Sequence, residues 1–204
     1  MSRIDAPEIK QLFHAGIDAE AKLAAVRFAE RAARDGLAEV AYATFDSPYG
    51  EIHIAVTDRG LVSLALPNVA EDAFLATLAS EISPRVLELP GRLDEVRREL
   101  DEYFAGTRRD FDLELDWRLI RAGFYRSVLR ETVKLPYGVT NTYGEIAAKA
   151  GNPRAARAAG TALATNPIPL VIPCHRILRS GGMVGQYGGG PAMKQSLLEA
   201  EGAL

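Results

Sequence analysis

Cysteine is almost absent from this chain: Cys174 is the only one in 204 residues. Without a second thiol there is no intramolecular disulfide and no multi-cysteine zinc centre, a pattern that fits a reducing compartment. Histidine is scarce too, at three residues. His14 and His53 have no ligand-type partner near them in sequence, so no metal and no cofactor are expected. Long apolar runs are also missing: none approaches the roughly 20 residues that cross a bilayer. The start, Met1-Ser2-Arg3-Ile4-Asp5, lacks the basic-then-apolar pattern of a secretory signal. No internal repeat or low-complexity tract is seen. These absences lead to the expectation of a soluble, cytoplasmic protein without membrane contact.

What is present is enough apolar material, 48% of residues, for one large core or two smaller ones. Charge is divided unevenly. Residues 121–204 hold ten Lys/Arg against four Asp/Glu, so the net charge of -3 hides a basic C-terminal part and a first part of 120 residues with nine surplus negative charges. A polyanion meeting the C-terminal part is one reading, because phosphate contacts supply most non-specific DNA affinity; a merely solvated surface is the other.

Along the chain, residues 1–38 read as a helical extension, with Asp18 placed to cap a helix from Ala19 to Asp35 and Gly36 to end it. Leu23, Val26 and Ala29 or Glu30 mark its faces. Residues 39–116 then read as an α/β domain. The alternation of Val40, Tyr42 and Thr44 with Ala41, Ala43 and Phe45, the turn Ser47-Pro48-Tyr49-Gly50, the run Ile52–Val56 and the turn Asp58-Arg59-Gly60 into Leu61–Leu66 predict a three-stranded antiparallel meander. His53 alternates with apolar residues and reads as a structural strand residue. Helices are expected at Glu71–Ile82, Leu93–Phe104 and Gly123–Lys134, with the inter-domain connection near Asp116–Ala122 and a C-terminal domain over 117–204.

In that second part, Thr142–Gly151 reads as a short helix stopped at glycine. Asn152-Pro153 makes a turn, and a second helix runs from Pro153 or Arg154 to Ala164. The pair is helix-turn-helix in type, with the second helix as reader. That helix, Arg154-Ala155-Ala156-Arg157-Ala158-Ala159-Gly160-Thr161-Ala162-Leu163-Ala164, offers few long polar side chains for base edges. A slim helix suits the minor groove, where the base pattern is degenerate and little sequence preference follows. Arg157 could then enter the base stack in place of an extruded nucleotide. Two packed helices with Arg157 in a surface salt bridge is the alternative.

Cys174 lies in Ile172-Pro173-Cys174-His175-Arg176. A free thiol, with pKa near ~8.5, is mostly protonated at neutral pH and needs a base to act as nucleophile. His175 can take the proton directly or through a water, and an acidic group can fix its tautomer. The apolar run Ile168–Ile172 reads as a short buried strand, so the thiol is expected where that strand ends. A buried, inert cysteine is the plainer alternative.

Tyr143-Gly144-Glu145-Ile146-Ala147, Asn152-Pro153, Ala156-Arg157-Ala158, Asn166-Pro167, Ile172–Arg176, Gly185-Gln186-Tyr187 and the stretch from Lys194 through Leu197-Leu198 to Glu201-Gly202 together resemble the O6-alkylguanine-DNA alkyltransferases, or methylated-DNA:protein-cysteine methyltransferases. The match runs from about Tyr103 to Gly202 and more weakly back to Glu39. It implies an α/β N-terminal ribonuclease-H-like domain plus a mainly α C-terminal winged-helix-like domain with the helix-turn-helix. It further implies Cys174 as alkyl acceptor, His175 as its base through a water, Glu201 to orient His175, and Asn166 as the hinge bracing the turn between helix and active site.

By the same resemblance, Arg157 is the finger replacing the flipped base, and Tyr143 assists extrusion and donates to guanine N3. Ala156, Arg154 and Thr142 join them toward DNA. Leu163 and Tyr187 pack the base, the Ile177 and Cys174 carbonyls take its exocyclic amine, the Gly188 amide faces O6, and Lys194 completes the pocket. A flipped base is needed because the alkylated oxygen lies within the duplex.

The expected activity is direct-reversal repair: irreversible, single-turnover transfer from O6-alkylguanine in double-stranded DNA to Cys174, by a monomer, with O4-alkylthymine, adduct size and cooperativity left open. Departures from the family are Leu129 where a tryptophan is common, Gly188 where some relatives have serine, and no N-terminal zinc ligands. Two other classes stay open: a non-catalytic alkyl-lesion binder, which normally lacks the cysteine, and a DNA-binding thiol sensor.

Overall fold

The computed structural model describes residues 20, 23–29, 31–32 and 34–204. The expected Asp18 cap and His14 lie outside them. Helix is present at 23–29, 31–32 and 34, and Gly36, at φ 69°, ends it with Leu37 N–H bonded back to the Ala32 carbonyl at 2.7 Å. Of the residues that mark its faces, Ala29 packs and Leu23 and Val26 do not. Ala29 and Ala32 are buried, whereas Leu23, Val26 and Phe28 are exposed.

The meander forms as the alternation predicts: β1 (Val40–Ser47), β2 (Gly50–Thr57) and β3 (Gly60–Ala65), each antiparallel to the next. A fourth strand, β4 (Val86–Glu88), was not expected; it pairs parallel to β1 and gives the order β3-β2-β1-β4. At three residues it is too short to show a period. Ala41, Ala43, Phe45, Ile52 and Ile54 face the main core, while Val40, Ala55, Val62 and Ala65 face α1 (Glu71–Glu81) through Phe74 and Leu78. His53 is buried among these, its Nδ1 3.2 Å from the Thr44 hydroxyl.

Gly60 is fixed by two constraints. Its φ of 112° suits glycine, and a Cβ there would lie 2.1 Å from the Glu114 carbonyl oxygen. That approach lets Leu61 N–H bond Glu114 at 2.8 Å and Asp116 N–H bond Leu61 at 2.9 Å, tying the connecting segment to the sheet. Asp116, itself buried, accepts from Thr57 Oγ1 at 2.7 Å and from Arg118.

After a single 3-10 turn at Pro90–Leu93, α2 (Asp94–Phe104) buries Val96, Leu100 and Tyr103 along one face, and Gly106 closes it at φ 73°. The C-terminal part is helical: α3 (Phe124–Thr132), α4 (Tyr143–Lys149), α5 (Ala156–Ala164) and α6 (Gly190–Ala200). Thr142 caps α4 in a reciprocal capping box with Glu145. The turn after α4 extends further than the sequence suggested, so α5 begins at Ala156 and Arg154 stands outside it.

Strands β5 (Asn141–Thr142) and β6 (Ile177–Leu178) pair in parallel and so draw the start of α4 beside the segment that follows Cys174. One core cluster runs through both parts of the chain, from Leu61 and Leu100 to Ile146, Ile172 and Leu197. Among the described residues no helix is long and apolar enough to cross a membrane.

Candidate active site

The run Ile168–Ile172 is buried as expected but is not a strand. Leu170 has φ 72°, and Ile172 N–H closes a tight turn on the Ile168 carbonyl at 2.9 Å. A left-handed conformation in a leucine costs about 1–2 kcal/mol, so neighbouring contacts must hold it. Asn166 supplies them. Its Nδ2 donates to the Ile172 carbonyl at 2.9 Å, and its Oδ1 accepts from Ile168 N–H at 3.0 Å. The same Nδ2 lies 3.2 Å from Cys174 Sγ. The amide therefore shapes the turn and contacts the sulfur that the turn presents. Cys174 to Arg176 follow as one 3-10 turn.

Cys174 is 8% exposed, and its sulfur opens on a cavity of about 170 Å³ lined by Tyr143, Gly160, Leu163, Ala164, Gln186, Tyr187 and Gly188. A second cavity of about 160 Å³ adjoins it beneath Leu66 and Pro169. Of the residues singled out in the sequence, Tyr143, Leu163, Tyr187 and Gly188 thus converge on the thiol. Glycine at 185 leaves room for Tyr143, since a Cβ there would come within 3.1 Å of its hydroxyl oxygen.

Behind the sulfur, His175 is fully buried with Nε2 2.9 Å from Glu201 Oε1. Its Nδ1 has no partner among the described residues. Glu201 also accepts from Arg176 Nε at 2.8 Å, Arg176 Nη2 at 2.9 Å, Gly138 N–H at 3.3 Å and the Tyr103 hydroxyl at 2.7 Å. Burial alone would raise the carboxyl's pKa, but the His175 and Arg176 hydrogen bonds and the Arg176 charge hold it far below the usual carboxylate range. Burial pushes His175 down and keeps it neutral. Burial likewise pushes the Cys174 thiol up, against the opposing pull of Asn166 and Lys194. The resting site is thus a protonated thiol beside a neutral imidazole on an ionised carboxylate.

Lys194 is wholly buried and donates to the Ile177 carbonyl; burial lowers its pKa to about 8. One acceptor position of the carbonyl expected to hold the base's exocyclic amine is therefore in use. The outer residues do not join this cluster. Arg157 and Arg154 are exposed, and Arg157 makes no ion pair among the described residues. Arg157 lies one helical turn before Gly160, which lines the cavity, and is not itself among the lining residues. Ala156 is half-buried at the start of α5, and the Thr142 hydroxyl is engaged with Glu145. Leu129 packs in the core.

Two contributors were missed in the sequence. Arg176 belongs to the quoted motif, but nothing in a one-dimensional pattern shows its guanidinium spanning Glu201 and the Leu135 carbonyl. Tyr103 reads as an ordinary apolar-face residue of α2. Among the described residues no cluster of three or more His, Cys, Asp or Glu side chains is arranged to hold a metal ion.

Two family models match the chain: the 6-O-methylguanine DNA methyltransferase ribonuclease-like domain at residues 40–117 and the DNA binding domain of the same enzymes at residues 123–203. A methylated-DNA–protein-cysteine methyltransferase of Mycolicibacterium paratuberculosis is 39% identical, covering 79% of this chain and 92% of that one; the Mus musculus protein of the same name is 37% identical over 79% and 81%. The crystal structure of Mycobacterium tuberculosis O6-methylguanine methyltransferase superposes with a TM-score of 0.69 at 37% identity, over 80% of this chain and 93% of that one. The Mycobacterium tuberculosis protein in complex with DNA superposes equally well, with a TM-score of 0.69 at 36% identity and the same coverage.

Proposed function

Because the chain belongs to the 6-O-methylguanine DNA methyltransferase family, we propose that Cys174 is the acceptor sulfur, His175 its base and Glu201 the group that orients His175. The activity is direct-reversal DNA repair by alkyl transfer to a protein cysteine, carried on a two-part fold with a ribonuclease-like mixed-sheet half and a helical half. Residues 39–116 form the supporting body in this reading, and residues 117–204 the part that binds DNA and accepts the alkyl group.

The observation that carries the assignment is the position of the sulfur. It faces a cavity between two tyrosines, and the adjacent imidazole is hydrogen-bonded to an ionised carboxylate buried from bulk solvent. With Nε2 held by Glu201, Nδ1 is the nitrogen left to take the thiol proton through a water. As the S–H proton leaves toward His175, sulfur attacks the alkyl carbon in line with the C–O6 bond, and the electron pair of that bond passes to guanine. The Tyr143 hydroxyl donates toward N3, countering the negative charge that develops, and guanine leaves neutral by taking up the proton that the thiol gave up, with His175 restored to its neutral form. The thioether product has no proton to lose and no leaving group that restores the thiolate, so each molecule reacts once.

Leu163 and Tyr187 flank the flipped base, the Gly188 amide faces O6, and Lys194 acts by fixing the Ile177 carbonyl. Arg157, one turn before Gly160 on a helix of small residues, fills the vacated stack from the minor groove, with Arg154, Ala156 and the Thr142 end of α4 against the backbone. Little sequence preference follows, and the protein acts as a monomer, in the cytoplasm. Mass spectrometry after incubation with duplex containing O6-methylguanine tests the reading. The peptide holding Cys174 gains one methyl mass, and Cys174→Ser gains none while still binding DNA. An unmodified peptide from the wild-type protein would return the lesion-binding or sensor classes to first place.

A further inference from the structure

Glu201 is reached from the N-terminal half of the chain. On α2, Val96, Leu100 and Tyr103 share the buried face, which brings the Tyr103 hydroxyl 2.7 Å from Glu201 Oε1, ninety-eight positions away in sequence. The same oxygen lies 2.9 Å from His175 Nε2. The phenol is locked by aromatic neighbours, with ring centroids 5.2 Å from Phe111, 5.5 Å from Phe104 and 6.3 Å from Tyr137. It therefore donates from a fixed direction.

We infer that Tyr103 is a positioning residue that sets the basicity of His175: by donating to the oxygen that holds the imidazole, it draws charge from that oxygen and keeps His175 a weak base. The inference rests on the reading of Cys174, His175 and Glu201 as a proton relay. No proton leaves the phenol, because burial and the Glu201 charge push its pKa far up. The other groups that bear on His175 are Arg176 and Cys174 on its own turn, Lys194 on α6, and Tyr187, whose ring meets the imidazole edge-on at 6.2 Å. Arg176 and Lys194 lower the affinity of His175 for a proton and the Glu201 carboxylate raises it. Tyr103 moderates the one partner that raises it.

The test is the single-turnover rate of Cys174 alkylation against pH, with O6-methylguanine duplex, for the wild-type protein and Tyr103→Phe. Loss of the phenol leaves Oε1 a stronger partner for the imidazolium, so the acid limb moves upward by roughly half a unit to one unit. Above the limb, where His175 is neutral in both proteins, the stronger base makes the variant as fast as the wild type or faster, so the position of the limb is the readout and not the rate at one pH. NMR titration of His175, one of three histidines, follows the same shift directly. A packing role alone lowers stability and leaves the limb where it was; that result overturns the inference. If Tyr103→Phe does not fold, 3-fluorotyrosine placed at 103 alone, a stronger donor, moves the limb downward, and an unmoved limb again overturns it. Failure of the wild-type protein to transfer methyl would instead refute the relay itself.

Discussion

Replacing Asn166 by alanine removes the side-chain hydrogen bonds that brace the turn before Cys174. The cost follows from which groups keep a partner. The Ile172 carbonyl still accepts from Cys174 N–H at 2.7 Å, but Ile168 N–H loses the Asn166 oxygen at 3.0 Å and is left inside the protein unbonded. A buried donor without a partner costs about 1–3 kcal/mol. Relaxation of the left-handed Leu170 then displaces a buried side chain, so the total loss is about 2–4 kcal/mol. Urea unfolding reads this as a lower midpoint at unchanged slope.

The chemistry changes with it. Asn166 is the foremost influence that lowers the thiol pKa, so its loss raises the thiol further. Alkylation by free O6-benzylguanine, which needs no DNA contact, falls roughly tenfold for one unit of such a shift. Asn166→Asp separates the two effects. It keeps an acceptor for Ile168 N–H and recovers part of the stability, yet it puts a negative charge beside the sulfur and reacts more slowly than the alanine variant. An Asn166→Ala protein with the wild-type midpoint and rate would refute the reasoning.

Two further outcomes are expected. Arg157→Ala slows repair in duplex by at least tenfold while leaving reaction with free O6-benzylguanine close to normal, because the exposed side chain acts only on the extrahelical state; equal losses on both substrates rule out the finger. In acid, burial holds His175 below its ordinary 6.5, so the transfer rate stays level down to about pH 6.5 and drops only below it. The unfolded chain takes the proton first, so the stability present above 6.5 is also lost as the pH falls toward the folded value; a rate that declines well above 6.5 assigns the limb to another group.

Much of this was visible in the order of residues. The meander could be read because its period of two is interrupted by turns that need Gly50 and Gly60, and α4 because Thr142 and Glu145 stand at capping-box spacing. Ile168–Ile172 shows the limit. Five apolar residues in a row specify burial but not conformation, and what bends them is an amide outside the run. The arginine at 154 was assigned to α5 on composition, although Pro153 and the preceding Asn152 turn delay the helix to Ala156. The reactive pair and its motif are local, hence legible. The donors that converge on Glu201 come from positions 103, 138, 175 and 176, and no local pattern links the first two to the rest.

The seclusion of the sulfur bears on how long the protein lasts between lesions. Peroxide and stray electrophiles attack thiolates far faster than thiols, and each such hit would retire a molecule that reacts only once. At rest Cys174 is protonated, nearly covered and next to a histidine without charge. In the proposed mechanism, only a partner that fits between Tyr143 and Tyr187 meets the sulfur together with its base. Idle copies can therefore stay competent in an oxidising episode that exhausts exposed thiols.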